Sequence, residues 1–267
     1  MRPLPDCVPR SPGSLMLSRR AEMRDGVQKI LALDTSSVVS VACVTVGSGD
    51  ADSAGVEVVA EHETDSTTRH AEDLIPVCER LLAEAGWDRP DAVLVGEGPG
   101  PFTGLRVGIA AGQTLAFAWG VDAYGICSLD GLAAQLLAES GLASENDSDL
   151  AATDAEPVLT AALDARRREL YWASYARNGA RIDGPHVTKP GELPAEYPVG
   201  GAGVSVRAEE LAEAAIPVLA GTETMPVSAS YLARAWHTAG MPANPPIARY
   251  LRESDAVVPA SMQGRQR

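Results

Sequence analysis

The sequence predicts an α/β fold made of two related halves, and three observations carry that prediction. Ile30–Asp34 is an apolar run that ends in aspartate, and Val158–Asp164 is a second run of the same kind. Each is followed by strand-like segments with hairpin spacing, and each of those by a helical run. One unit of strand, hairpin, strand and helix therefore occurs twice, the pattern of an internal duplication. At 267 residues the chain can bury one substantial core or two modest ones.

Taken in order, residues 1–28 contain four prolines and no usable periodicity, and are expected to be a disordered extension. Leu15-Met16-Leu17 is too short for the apolar segment of a signal peptide. From Lys29 the order becomes regular. Ile30–Asp34 reads as a buried strand and the β-branched run Val38–Val46 as its hairpin partner, followed by a turn at Gly47-Ser48-Gly49-Asp50. Val56–Thr64 alternates apolar and polar residues, as a strand with one wet face does. His70–Gly86 reads as a helix: Ala71, Leu74, Ile75, Cys78, Leu81, Leu82 and Ala85 share a stripe, Gly86 supplies the stop, and Pro76 should kink or delay the first turn. A strand (Ala92–Gly96), a Gly/Pro-rich loop, a helix (Thr103–Trp119) and a strand (Ala123–Cys127) complete the first half.

In the second half, Glu169–Ala176 and Arg181–Thr188 are strand-like and joined by Asn178-Gly179, a strong turn signal. Pro198-Val199-Gly200-Gly201 leads to a helical run over Arg207–Ala215. Ser228–Gly240 reads as a further helix and Pro245–Arg252 as an irregular segment. Between the halves, residues 139–156 hold six acidic and no basic residues and read as a solvated loop.

The formal charge is −14 and unevenly spread: residues 1–29 hold six basic and three acidic side chains, so the body is more acidic still. Nucleic-acid binding is driven by Lys and Arg displacing counterions from phosphate. This body is a poor partner for RNA, and any role in RNA metabolism would run through a basic partner. No apolar run approaches the length of a membrane span, and a cytoplasmic location is expected. Cys7, Cys43, Cys78 and Cys127 are scattered and read as buried apolar residues in a reducing compartment. His62, His70, His186 and His237 are far apart and form no metal-binding pair on a helix, and no nucleophile elbow exists. No catalytic constellation and no metal site are read from the chain.

Four features remain as candidate sites. Asp34-Thr35-Ser36 closes the first strand, where a carboxylate and hydroxyls can hold a metal–phosphate group. It lacks the glycines that let backbone amides wrap a phosphate, so a turn satisfying its own backbone reads equally well. Asp164 has the same shortcoming, being followed by Ala165-Arg166-Arg167-Arg168, a solvated or partner-facing basic patch. Gly200, Gly201 and Gly203 suit either a backbone approaching a flat adenine ring or a loop needing positive φ. Gly104, Gly108 and Gly112 fall on one helix face at about 1 kcal/mol each relative to alanine. Either the underlying sheet or a second chain must come close to that face.

Five elements occur in order: Ala32-Leu33-Asp34-Thr35-Ser36, Arg69-His70-Ala71-Glu72-Asp73-Leu74-Ile75-Pro76, Gly98-Pro99-Gly100-Pro101-Phe102-Thr103-Gly104-Leu105-Arg106-Val107-Gly108, Leu163-Asp164-Ala165-Arg166-Arg167 and Arg249-Tyr250-Leu251-Arg252. Together they resemble the TsaB (YeaZ-like) family, accessory proteins of bacterial tRNA threonylcarbamoyladenosine synthesis, over roughly Lys29 to Ala256. The resemblance implies two actin-like/RNase H-like (ASKHA) lobes, each a mixed sheet with flanking helices. One lobe would span residues 29–127 with a returning segment at 228–256, the other residues 128–227, with 257–267 a flexible tail.

The same resemblance implies a non-catalytic role: a scaffold that pairs with the catalytic paralogue TsaD, helps recruit the ATPase TsaE and meets tRNA only through the complex. A homodimer when alone is compatible with it. The stretch matching TsaD's histidine metal motif reads Gly125-Ile126-Cys127-Ser128-Leu129-Asp130-Gly131-Leu132, without histidine. Family helix pairing places Arg69, His70, Leu74, Leu81, Gly104, Val107, Gly108 and Ala111 at or near the partner interface and tilts the glycine face toward a partner. No resident cofactor is expected, with Asp34, Thr35, Ser36, Asp164, Gly200, Gly201 and Gly203 as a vestigial site for weak ATP or ADP binding in the complex. The rival readings are an actin-like ATPase using those same residues, and a metallopeptidase, which the histidine count opposes. Departures from the family pattern are Ala71, Pro101, the length of the 139–156 insert and the unmatched residues 1–28.

Overall fold

The computed structural model describes residues 27–47, 55–143 and 156–252. The expected extension over 1–28, save its last two residues, lies outside these, as do most of the Gly47–Asp50 turn, residues 144–155 of the acidic insert, Cys7 and the 257–267 tail.

Among the described residues, nine strands form two sheets. The first holds β1 (Gln28–Asp34), β2 (Ser40–Val46), β3 (Val56–Glu63), β4 (Ala92–Gly96) and β5 (Asp122–Ile126), in the order β3-β2-β1-β4-β5. β1, β2 and β3 are antiparallel neighbours; β4 lies parallel to β1 and β5 parallel to β4. The second holds β6 (Leu159–Asp164), β7 (Leu170–Tyr175), β8 (Arg181–Thr188) and β9 (Val199–Gly200), in the order β8-β7-β6-β9. Here too the first strand pairs antiparallel with the hairpin and parallel with the strand after the crossover. The duplication seen in the sequence is thus a duplication of sheet order and sense.

Helices α1 (His70–Glu84) and α2 (Phe102–Trp119) cover one face of the first sheet. α3 (Ser128–Ser140) and α6 (Ala229–Thr238) lie between the sheets, while α4 (Gly203–Val206) and α5 (Ala208–Glu213) belong to the second sheet's far side. Period-two alternation divides β1 between two layers. Leu31 and Leu33 pack with Leu74, Cys78 and Leu81 of α1, whereas Ile30 and Ala32 join Leu129, Leu132 and Leu136 of α3, Leu232 and Trp236 of α6, and Ala161 and Leu163 of β6. One apolar core therefore spans both sheets through α3 and α6.

The structure corrects three readings. α3 was not expected; Leu129, Leu132, Ala133, Leu136 and Leu137 fall at helical spacing and are all buried. Glu139 and Ser140 consequently end a helix rather than begin a loop, with Gly141 at φ 67° as the stop. The run Arg207–Ala215 is helical only over α5. α1 holds Pro76 inside its span.

Candidate functional site: the sealed loop after β1 and the outer helical face

β1 carries Asp34 to the end of the sheet, where its side chain is fully buried. Asp34 Oδ1 accepts hydrogen bonds from the Ser36 N–H at 2.7 Å and the Ser36 hydroxyl at 2.5 Å. Asp34 Oδ2 accepts one from Ser128 Oγ at 2.5 Å, and Ser128 Oγ in turn accepts from the Gly98 N–H at 2.9 Å. The Ser128 N–H donates to the Gly98 carbonyl at 2.8 Å. A Cβ at Gly96 would collide with the Asp34 carboxylate, so glycine there is a packing requirement. Burial, the largest influence, raises the Asp34 pKa above the ordinary carboxylate value against the opposing hydrogen bonds from Ser128 and Ser36.

The rest of the loop is tied down as thoroughly. Thr35, fully buried, donates from Oγ1 to the Gly104 carbonyl at 2.8 Å. The His70 ring Nε2 lies 3.2 Å from the Ser37 carbonyl. Ser37 Oγ accepts from the Val227 N–H at 3.2 Å, and Ser40 Oγ from the Ala229 N–H at 2.8 Å. The loop thus joins the starts of α1, α2, α3 and α6. Of its two readings, a carboxylate holding a ligand or a turn satisfying its own backbone, the contacts are those of the second.

Asp164 is likewise engaged by its own chain. Its Oδ1 accepts from Arg207 at 3.1 Å and from the Arg166 N–H at 3.2 Å, and Arg166 pairs with Oδ2 at 3.6 Å. The glycines expected to approach an adenine ring approach other parts of this chain. A Cβ on Gly200 would lie 2.6 Å from Leu136 Cδ2, on Gly201 2.5 Å from the Ala162 carbonyl, and on Gly203 2.7 Å from the Leu163 carbonyl carbon.

The glycine face of α2 resolves in the same way. A Cβ on Gly104 would lie 2.6 Å from the Thr35 carbonyl, one on Gly108 would collide with Thr35 Oγ1, and one on Gly112 would lie 2.5 Å from Val95 Cγ2. Close approach is therefore internal, by the Asp34–Ser37 loop and β4. Among the residues expected at or near a partner interface, His70, Leu74, Leu81, Gly104 and Gly108 are buried in their own chain. Arg69 is exposed, and Val107 and Ala111 are half-buried beside the outer edge of α2.

What faces outward on these helices is a different set. On α2 it is Phe102, Arg106, Ala110, Gln113 and Phe117, at the spacing of one helical face, with Phe117 87% exposed and Phe102 48%. On α1 it includes Ala71, Ile75 and Pro76. Phe102 also lies beside Tyr250, with ring centroids 5.1 Å apart, and under Arg106.

Two buried polar clusters were not legible as sites. Glu97, 3% exposed, accepts from Arg249 Nε at 2.8 Å and the Ile247 N–H at 3.0 Å, pinning the C-terminal segment against the first sheet. Asp130 Oδ1 accepts from the Tyr175 hydroxyl at 2.8 Å and pairs with Arg181 at 3.4 Å, joining α3 to β7 and β8. Burial raises the pKa of Asp130 and of Tyr175. Their partners are distant in sequence, and no spacing rule connects them. Among the described residues, no group of three or more His, Cys, Asp or Glu side chains is placed to hold a metal ion. No helix there is long and apolar enough to cross a membrane.

The family model described as "TsaD: tRNA N6-adenosine threonylcarbamoyltransferase" matches residues 57–240. The uncharacterized protein Rv3421c of Mycobacterium tuberculosis is 34% identical over 232 residues, 86% of this chain and 94% of that protein. The uncharacterized protein ML0378 of Mycobacterium leprae is 39% identical over 166 residues, 61% of this chain but only 40% of that protein. The tRNA threonylcarbamoyladenosine biosynthesis protein TsaB of Escherichia coli is 31% identical over 153 residues, 56% of each chain. Among solved structures, YeaZ from Pseudomonas aeruginosa is 26% identical with a TM-score of 0.61, covering 83% of this chain and 100% of that one. With two lobes of one sheet order, a family match over more than half of the residues and a full-length structural likeness to YeaZ, the chain belongs to the TsaD family, as a TsaB/YeaZ-like member.

Proposed function

We propose that this chain is the accessory, non-catalytic subunit of tRNA N6-threonylcarbamoyladenosine synthesis. It docks a TsaD-type catalytic subunit and offers part of a composite surface to a TsaE-type ATPase, and it meets tRNA only through that assembly. The observation that carries this reading is the division of labour on α2. Its glycine face is spent on the loop that seals Asp34 and on β4, while its opposite face leaves Phe102, Ala110 and Phe117 exposed, as the outer face of α1 leaves Ala71 and Ile75. An apolar helical surface of that kind is the usual core of a protein–protein contact. Arg69, Val107 and Ala111 border it. When the catalytic subunit is missing, the same surface pairs two copies of this chain.

The filled surroundings of Asp34, Asp164, Gly200, Gly201 and Gly203 support the absence of a resident nucleotide in the free chain. Function resides in a site rather than in a fold, and here the fold has kept the lobes while its loops have turned to internal packing. The test is reconstitution with the TsaD-type and TsaE-type proteins of the same cell. Threonylcarbamoyl transfer to tRNA is expected to require this chain together with the catalytic subunit. Transfer by this chain alone would overturn the reading.

A further inference from the structure

The turn between β6 and β7 carries three consecutive arginines in the left-handed region, Arg166 at φ 60°, Arg167 at 51° and Arg168 at 63°. Cβ sterics disfavour that region for residues other than glycine, asparagine and aspartate. The next turn of the same sheet, between β7 and β8, reverses the chain with Asn178-Gly179, with Gly179 at φ 77°. A low-strain solution is thus in use one strand away, and the arginine turn does without it. Strain retained where glycine would relieve it marks positions whose side chains are needed.

Closing the turn is not what needs them. The Glu169 N–H donates to the Arg166 carbonyl at 3.0 Å and the Ala165 N–H to the Glu169 carbonyl at 3.1 Å, so the backbone closes itself. Stability does not need them either, because ion pairs this exposed contribute little. Arg166 pairs with Asp164 and Arg168 with Glu210 at 3.3 Å, yet the arginine side chains are 67% and 81% exposed and the carboxylates only 19% and 26%. The carboxylates form an inner layer and the guanidinium groups an outer one. Arg252 from the C-terminal segment supports the turn from beside it, pairing with Glu169 and donating to the Ala165 carbonyl.

We propose that the Arg166–Arg168 turn is a docking element for an acidic protein segment. Guanidinium forks match carboxylates two bonds at a time, and a rigid turn presents them already ordered. The observations favour protein over nucleic acid. A polyphosphate lying along this surface would pass Glu209, Glu210 and Glu213 on a chain of net charge −14, whereas a protein segment engages the turn at a few points. The inference stands independently of the accessory-subunit reading, since it concerns the other lobe and needs no particular partner.

The test titrates the full chain against a fluorescent oligoglutamate peptide and, separately, a fluorescent oligouridine RNA, following anisotropy at low and physiological salt. The variant Arg166→Asn/Arg167→Gly/Arg168→Gly removes the guanidinium groups and the strain together. The expected result is salt-sensitive peptide binding that weakens at least about tenfold in the variant, while its melting temperature rises by roughly 2–4 °C or more. The variant Arg166→Lys/Arg167→Lys/Arg168→Lys, which keeps charge and strain but loses the forks, should bind at an intermediate level. Preference for RNA, binding of neither probe, unchanged peptide affinity in the Asn/Gly/Gly variant, or a fall in its melting temperature would each overturn the proposal.

Discussion

Ser128 Oγ donates to Asp34 Oδ2 at 2.5 Å across 94 residues of sequence, tying the end of β1 to the first residue of α3. Because Ser128 also receives the Gly98 N–H, this hydroxyl closes the place where a carboxylate would otherwise face a ligand. Replacing it with Ala should leave a buried carboxylate oxygen and a backbone N–H each short of a partner. The expected loss is about 1–3 kcal/mol, read as a lower urea midpoint with an unchanged slope.

The buried Asp34 carboxylate should also leave a signature in pH. Its folded-state pKa is raised, chiefly by burial, so the native state holds the proton more tightly than the unfolded chain. The stability this group contributes is complete below its unfolded pKa and is lost as pH rises through its folded value. Asp34→Asn has no proton to lose. The wild-type urea midpoint should therefore fall relative to that of Asp34→Asn as pH is raised from acid toward neutral; a relative rise would contradict the assignment.

The two faces of α2 should respond in opposite ways. Gly108→Ala forces a methyl group into Thr35 and should destabilise the chain by about 1–3 kcal/mol. Ala110→Arg, on the exposed face, should leave the melting temperature within about a degree or two. Thermal melts of the two variants side by side check this directly.

Cys43, Cys78 and Cys127 are buried, and burial pushes each thiol up to about 12. Since the thiolate is the reactive form, none of the three should react with a thiol-specific disulfide reagent at neutral pH until denaturant is added. A Cys7→Ser variant isolates these three for the measurement. Fast labelling of that variant in the native state would contradict the packing around α1 and α3.

Arg249 is half-exposed, but its partner Glu97 is nearly fully buried. Arg249→Ala should cost about 1–3 kcal/mol by leaving that carboxylate short of a donor. It should also speed amide exchange at Ile247, whose N–H is held by the same Glu97 side chain.

Much of the fold was readable because local pattern and tertiary role coincide. Ile30–Asp34 and Val158–Asp164 are continuous apolar runs because both faces of β1 and β6 are covered. Asn178-Gly179 marks a hairpin by its backbone chemistry alone. α3 was not legible although Leu129, Leu132 and Leu136 carry helical spacing, because Gly131 inside it and the acidic run that begins at Glu139 weaken the local helical signal. The site was less legible for a physical reason. A glycine shows that something approaches closely without showing what, and at Gly104, Gly108 and Gly200 it is the chain itself. Asp34 was found as a strand-end carboxylate, but its sealing depends on Ser128, a contact no local spacing encodes.

The central claim, docking of a catalytic paralogue through the outer face of α1 and α2, is tested most directly by size-exclusion chromatography with light scattering. This chain and the TsaD-type protein of the same cell are mixed, with Phe117→Asp/Ala110→Arg as the variant and its thermal melt as the folding control. A stable heterodimer is expected with the wild-type chain, and two separate peaks with a variant that melts like wild type. Separate elution of the wild-type proteins, or a heterodimer indifferent to the variant, would contradict it.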